Sequence, residues 1–313
     1  MYKKKFEPES SNSLYRHVNE SKEHFENIYN QPDPRAYFST LSQFDYVIPE
    51  MACPVLRAIL QRLRIMRGLD KLQVVDLGCS YGINAALLKR GVSLQELYDH
   101  YRQMSDVGTG AKSIVEHDAC FFARYPPSSD LKVIGLDVAE RAVAYAKEVG
   151  LVDEAVVADL EAAAPPSEAT SLLADADAVV STGCVGYVGS TTFDRIISAV
   201  RTKSEPWVAS FVLRMFPYDD IAETLARHGL VTEKLDGVLF PQRRFASADE
   251  KYKVVATLRE MDIDAAGLED EHGFLAEFYL SRPQSEVAAL PLRDLLPFGV
   301  IPDDTILHMA NRP

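Results

Sequence analysis

From Lys71 onward the chain alternates short apolar runs with amphipathic stretches. The runs cover 72–77, 133–137, 155–158, 178–181, 207–213, 231–235 and 274–280. Between most of them lie segments with helical periodicity, such as 140–149, 193–200 and 219–228. Apolar runs of strand length separated by amphipathic helices predict a mostly parallel sheet of seven strands, with helices on both faces. The last run, Phe274-Leu275-Ala276-Glu277-Phe278-Tyr279-Leu280, closes the series.

The pattern before Lys71 is different. Residues 1–70 show no convincing strand and read as helices over 22–29, 36–44 and 49–67, the last opened by Pro49. This part is rich in Tyr and Phe and predicts an N-terminal helical cap or lid on a 71–313 domain. Two insertions interrupt the alternation, at about 91–131 and about 241–272. The first holds a helix opened by the capping box Ser93-Leu94-Gln95-Glu96 and a second over 111–122. The other holds a helix opened by Ser247-Ala248-Asp249-Glu250 and running to about Glu260. The proline-rich tail, 283–313, supports no assignment.

Bulk properties narrow the function. No run approaches the roughly 20 apolar residues of a bilayer span, and the mean hydropathy is -0.09; neither a membrane span nor a secretory leader is expected. The formal charge is 33 − 46 = −13, which repels phosphate backbones and disfavours nucleic acid as a partner. Tyr2-Lys3-Lys4-Lys5 is too short to reverse that. The four cysteines, Cys53, Cys79, Cys120 and Cys184, form neither a Cys-x-x-Cys pair nor a Cys/His cluster. A reduced, cytoplasmic chain without a metal is expected; the pattern leaves a homodimer open.

The first strand runs into Asp76-Leu77-Gly78-Cys79-Ser80-Tyr81-Gly82. Gly-x-Ser-x-Gly is the spacing of a hydrolase nucleophile elbow, yet no His-Gly-Gly segment precedes it, and it follows the first strand of the chain. A Gly-x-Gly-x-x-Gly dinucleotide fingerprint fails too, with Ser80 at the second glycine position and Ile83 at the third. A loop that holds a nucleotide-like ligand lacking a pyrophosphate accounts for more. The second strand ends in Asp137, where a carboxylate can accept from a ribose diol. The third ends in Val157-Ala158-Asp159-Leu160, and the fourth runs into Thr182-Gly183-Cys184. Four strands thus deliver polar residues to the carboxyl edge, where open α/β sheets bind ligands.

This series, from about Lys71 to Pro283, resembles the Rossmann-like class I S-adenosylmethionine-dependent methyltransferases, and the final run is similar to that family's antiparallel last strand. The resemblance implies that Asp76, Gly78, Cys79, Ser80 and Gly82 cradle the methionine part of S-adenosylmethionine. It places Asp137 and Val138 at the ribose, Asp159 and Leu160 at the adenine, and Thr182 and Gly183 beside the sulfonium. The long first insertion is a departure, because an acid is expected about 20 residues after the glycines; Asp118 is then a rival to Asp137. Strand-end acids also serve as helix N-caps, and Cys79 and Cys184 read as small packing residues.

Methyl transfer by in-line displacement needs alignment and exclusion of water. A hydroxyl or protonated amine acceptor is helped by a general base, for which His117 and His272 are the candidates by position. Tyr29, Tyr37 and Tyr46 of the cap, with Phe38 and Phe44, are placed to close over the carboxyl edge. Tyr187 is a candidate wall of the acceptor site, and Arg214 a candidate partner for an acceptor carboxylate. The favoured function is methylation of a small molecule on nitrogen or oxygen. A regulatory subunit that binds S-adenosylmethionine without catalysis, a methyltransferase acting on protein and, last, a serine hydrolase are the alternatives.

Overall fold

A computed structural model of the chain describes residue 18 and residues 26–104, 111–201, 205–297, 299–300 and 307–308. The helix expected over 22–29 begins outside the described residues; within them Glu26–Ile28 is a 3-10 turn. Helix α1 (Arg35–Leu41) follows, with a second 3-10 turn at Ser42–Phe44. Helix α2 (Ile48–Arg67) has Pro49 in its first turn and ends on Gly68 at φ 61°, a left-handed cap that glycine adopts without strain. Its buried stripe of Ala52, Val55, Leu56, Ile59 and Leu63 packs on the sheet side, against strands given below.

The sheet follows: β1 (Leu72–Leu77), β2 (Leu131–Asp137), β3 (Glu154–Val157), β4 (Ala178–Thr182) and β5 (Trp207–Leu213), all parallel where they pair. Every residue of β4 and β5 is buried, as expected of strands covered on both faces. Helices α3 (Ile83–Arg90), α4 (Leu94–Met104) and α5 (Ala111–Ala123) join β1 to β2, so among the described residues the first insertion contributes helices and no strand. The expected box at Ser93 forms in both directions: Glu96 N–H donates to Ser93 Oγ at 3.2 Å, and Ser93 N–H to Glu96 Oε2 at 2.8 Å. Helices α6 (Glu140–Glu148), α7 (Ser167–Leu173), α8 (Ser190–Ala199) and α9 (Asp219–Arg227) complete the alternation.

The order is β3-β2-β1-β4-β5-β8, where β8 (Phe274–Pro283) lies antiparallel to β5 with Leu213 opposite Ala276. The antiparallel late strand is therefore as expected. The far edge of β8 is shared by β6 (Leu230–Lys234) and β7 (Val238–Arg243). Strand β7 was not foreseen, nor was the two-residue β9 (Leu307–His308) paired with it. Since β8 begins beside the end of β5, β7 rises along the carboxyl edge of the parallel strands. There it meets the cap: Val47 N–H donates to Gln242 O at 2.8 Å, and Arg244 N–H to Phe44 O at 2.7 Å.

Helices α10 (Ala248–Glu260) and α11 (Glu269–His272) fill the interval between β7 and β8, and α12 (Gln284–Ala289) and α13 (Leu292–Leu295) follow β8. The helix α2 packs on α3, β4, β5 and β7, whereas α1 packs on α4. Among the described residues no helix is long and apolar enough to cross a membrane.

Candidate functional site

A cavity of about 580 Å³ opens at the carboxyl ends of β1 to β4, beneath the segment 29–49. Its floor is the turn after β1. Gly78 (φ 73°), Ser80 (φ 46°) and Gly82 (φ 79°) all take left-handed backbone, which bends the chain sharply into α3. A side chain at Gly78 would put its Cβ 2.6 Å from Cys184 Cβ, so the turn lies directly against the loop after β4. Gly82 forms the N-cap of α3, where an added Cβ would approach Ala146 Cβ at 3.0 Å.

Asp137 organises the wall beside that turn. One carboxylate oxygen accepts from Ser80 N–H at 2.8 Å and the other from Ala139 N–H at 3.0 Å. Asp159, past the end of β3, accepts from the amides of Glu161 and Ala162 through Oδ1 at 2.9 and 3.0 Å. Glu161 caps α8, taking Gly189 N–H, Thr192 N–H and Thr192 Oγ–H on one oxygen. Thr182, Gly183 and Cys184 form the opposite wall, and Tyr187 and Val188 extend it to the mouth.

The roof comes from the cap. Tyr29 and Tyr37 meet edge to face with ring centroids 5.7 Å apart, and Tyr37 and Tyr46 do so at 6.2 Å. A fully buried tyrosine of the floor turn ties this roof down: Tyr81 Oη donates to Ile28 O at 2.9 Å and accepts from Gln31 N–H at 2.8 Å. Asn30 Oδ1 accepts from Arg141 N–H at 2.8 Å, satisfying a free amide at the start of α6.

Three buried oxygens at this edge have no partner: Asp76 Oδ2, Ser80 Oγ and Thr182 Oγ1. An unsatisfied buried polar group costs about 1–3 kcal/mol, a cost that a polar ligand in the cleft would remove. Ser80 and Thr182 line the cavity; Asp76 lies one layer behind, accepting from the lining residue Asn84 at 2.9 Å. The donors and acceptors therefore suit an amino-acid moiety beside the turn, a diol at Asp137 and an exocyclic amine near Asp159. They fit S-adenosylmethionine.

Burial raises Asp76 to about 7, with the Asn84 hydrogen bond opposing and the charge of Asp137 adding. The folded protein thus holds this proton more tightly than the unfolded chain. Stability from the group is complete below its ordinary value of 3.8 and is lost as pH rises to about 7. Asp76→Asn lacks this titration. Urea unfolding at pH 4 and pH 8 is expected to show the wild type losing up to about 4 kcal/mol more than the variant over that interval. Equal losses would mean that Asp76 does not titrate there.

Cys79 and Cys184 line the cavity between the turn and the loop after β4. Burial raises both thiols, Cys184 to about 12, and Cys184 Sγ lies 3.0 Å from Ser181 Oγ. The Ser80 hydroxyl has no hydrogen-bond partner among the described residues, unlike the serine of a nucleophile elbow, which is bonded to its histidine.

The structure brings together at the cavity Gly78, Cys79, Ser80, Asp137, Val138, Asp159, Leu160, Thr182 and Gly183, with Tyr29, Tyr37, Tyr46 and Tyr187. Asp76 and Gly82 support the turn from behind. Three expected residues lie elsewhere. Arg214 is outside the cavity lining, held by a salt bridge to Glu269 at 2.6 Å and a bond to Asp264 O. His117 is exposed on α5, because the next residue, Asp118, faces inward and adjacent helical positions point about 100° apart. His272 is exposed at the end of α11. The rival acid Asp118 is also elsewhere, held by His100 and Tyr145 at 2.6 Å each and by Tyr101 at 3.1 Å.

Several lining residues were missed, among them Asn30, Asn84, Glu161 and Thr192, and Gln242 and Arg243 on β7. Arg243 makes a bidentate pair with Glu250, at 2.6 and 3.0 Å. The capping box at Ser247 is half used: Glu250 N–H donates to Ser247 Oγ, while the Glu250 side chain goes to Arg243 and to Ala246 N–H. Among the described residues no group of three His, Cys, Asp or Glu side chains is placed to hold a metal.

No protein-family model and no curated protein matches the chain. Solved structures do align with it. The plantazolicin methyltransferase BpumL in complex with SAH is similar at 10% identity, over 88% of this chain and 100% of that one, with a TM-score of 0.45. A TehB-like SAM-dependent methyltransferase from Corynebacterium glutamicum is similar at 15% identity, over 71% and 85%, with a TM-score of 0.35. Magnesium protoporphyrin IX methyltransferase from Synechocystis, with bound SAM, is similar at 11% identity, over 88% and 92%, with a TM-score of 0.35.

Proposed function

We propose that this chain is an S-adenosylmethionine-dependent methyltransferase acting on a small-molecule acceptor. One observation carries the reading: Ser80, Thr182, Asp137 and Asp159, from the ends of separate strands, line one cleft at the carboxyl edge. When bound, S-adenosylmethionine supplies an electrophilic methyl group on a sulfonium, and the C–S electron pair returns to sulfur as the acceptor's lone pair takes the carbon.

The chain's own residues bind, orient and exclude water. Asp137 accepts from the ribose hydroxyls, and its bond to Ser80 N–H fixes the turn against the same group. Val138 and Leu160 supply apolar surface for the adenine, and the second oxygen of Asp159 accepts from its amine. Thr182, Gly183 and Cys184 form the wall at the reacting end. The tyrosines of the roof keep water from the acceptor side, where alignment lowers the barrier most.

The test is incubation of purified protein with S-adenosylmethionine labelled in the methyl group and fractionated metabolite pools. Label is expected in small molecules, and Ser80→Ala is expected to keep most of the activity because Ser80 is no nucleophile. Binding of S-adenosylhomocysteine without any transfer would favour a regulatory subunit. Absence of both binding and transfer would overturn the reading.

A further inference from the structure

The cavity as a whole has a distinct chemical character. Its ionisable lining residues, apart from tyrosines and cysteines, are Asp137, Asp159 and Glu161 against a single cation, Arg243. That cation is already neutralised: Arg243 and Glu250 are paired in bidentate fashion, with side chains 6% and 1% exposed. The field in the cavity is therefore net negative, on a chain whose formal charge is −13. A carboxylate or phosphate entering it would lose hydration and find no uncompensated positive partner among the described lining residues.

Four tyrosines line the same space, Tyr29, Tyr37, Tyr46 and Tyr187. The first three meet edge to face, which sets neighbouring ring planes nearly at right angles. Tyr187 stands at the mouth, 56% exposed. Burial holds the Tyr29, Tyr37 and Tyr46 hydroxyls above their ordinary range, so all three stay neutral near pH 7; Tyr29 lies within electrostatic reach of Tyr46, Tyr187 and Asp137, and Arg243, which reaches Tyr29 and Tyr46, is paired with Glu250. Neutral rings beside a lining cation that is already held by Glu250 attract positive charge.

We propose that the acceptor is an amine, held as it gains positive charge by a cage of Tyr29, Tyr37, Tyr46 and Tyr187. This rests on the methyltransferase reading. The balance of the reaction agrees: the ammonium first yields a proton to water, the freed nitrogen lone pair forms the new N–C bond as the C–S pair stays with sulfur, and the product nitrogen carries the positive charge. A hydroxyl acceptor would instead need a side-chain base. Among the described residues no histidine lines the cavity, and each of its three carboxylates already accepts at least two hydrogen bonds.

The experiment uses the full-length protein saturated with S-adenosylhomocysteine and two probes of similar size, phenethyltrimethylammonium and 3-phenylpropionate, titrated in a calorimeter. The ammonium is expected to bind roughly tenfold more tightly than the carboxylate. Tyr187→Leu is expected to weaken the ammonium roughly three- to tenfold, and Tyr187→Phe to restore it, since the ring face and not the hydroxyl is the contact. S-adenosylhomocysteine affinity should be the same in all three proteins. Equal or tighter binding of 3-phenylpropionate, or a Tyr187→Leu protein that binds the ammonium normally, would overturn the amine cage while leaving the methyltransferase reading intact. Failure of the wild type to bind S-adenosylhomocysteine would overturn both.

Discussion

Asp137→Ala is expected to weaken binding of S-adenosylhomocysteine by more than about tenfold. The carboxylate sits where β2 leaves the sheet, and it has two tasks at once. It accepts from Ser80 N–H and Ala139 N–H at 2.8 and 3.0 Å, and its remaining lone pairs face the cavity. Alanine removes the acceptor for the ligand's hydroxyls and leaves two backbone donors unpaired. Each half-buried donor adds a further cost of about 1 kcal/mol to the folded state. Asp137→Asn separates the two tasks, because the amide oxygen can still accept from Ser80 while one acceptor oxygen is lost to the diol; its affinity should lie between wild type and alanine. Calorimetry with S-adenosylhomocysteine, alongside thermal unfolding of the free protein, checks both. A lowered melting temperature with affinity within twofold of wild type would make Asp137 a structural cap only.

The wall around Asp137 was legible in the sequence because parallel strands covered on both faces are continuous apolar runs. Their ends are marked by the first polar residue, and that residue falls at the edge where ligands bind. Asp137, Asp159 and Thr182 are all found by this rule. The tyrosines of the cap were legible as a cluster, though their edge-to-face order was not. Arg214 and Arg243 show where the rule stops. Both stand at the ends of strands, and which of them meets the cavity is decided by distant acids: Glu269 holds Arg214 outside the lining, while Glu250 holds Arg243 in the wall. No local spacing announces either pair.

Strand β7 was hidden for a related reason. Pro241 and a register shift between Pro241 and Arg243 break its alternation, and its pairing with Phe274 to Ala276 spans some thirty residues of sequence. The histidines failed through helical phase. Asp118 takes the inward position on α5, so its neighbour His117 is left outside. The two tyrosines that hold Asp118, Tyr101 and Tyr145, come from different helices, which sequence spacing cannot bring together.

Arg243→Met is the substitution expected to cost the most stability, about 3–5 kcal/mol, because it strands the Glu250 carboxylate in a buried site. Glu250 would keep the Ala246 amide as a donor but lose both guanidinium bonds. Removing both charges is different in kind: Arg243→Met with Glu250→Leu leaves apolar groups of similar reach beside Phe274, over whose ring the guanidinium now lies at 4.5 Å. The double variant should recover most of the loss, as buried pairs replaced together often do. Urea unfolding of the two single variants and the double one forms the cycle that tests this. The backbone of the same strand pairs with the cap through Gln242 and Arg244, so the single variant should also speed amide exchange at Val47, whose N–H donates to Gln242. An Arg243→Met protein as stable as wild type, with Val47 equally protected, would show that the pair neither closes the cavity wall nor anchors the roof above it.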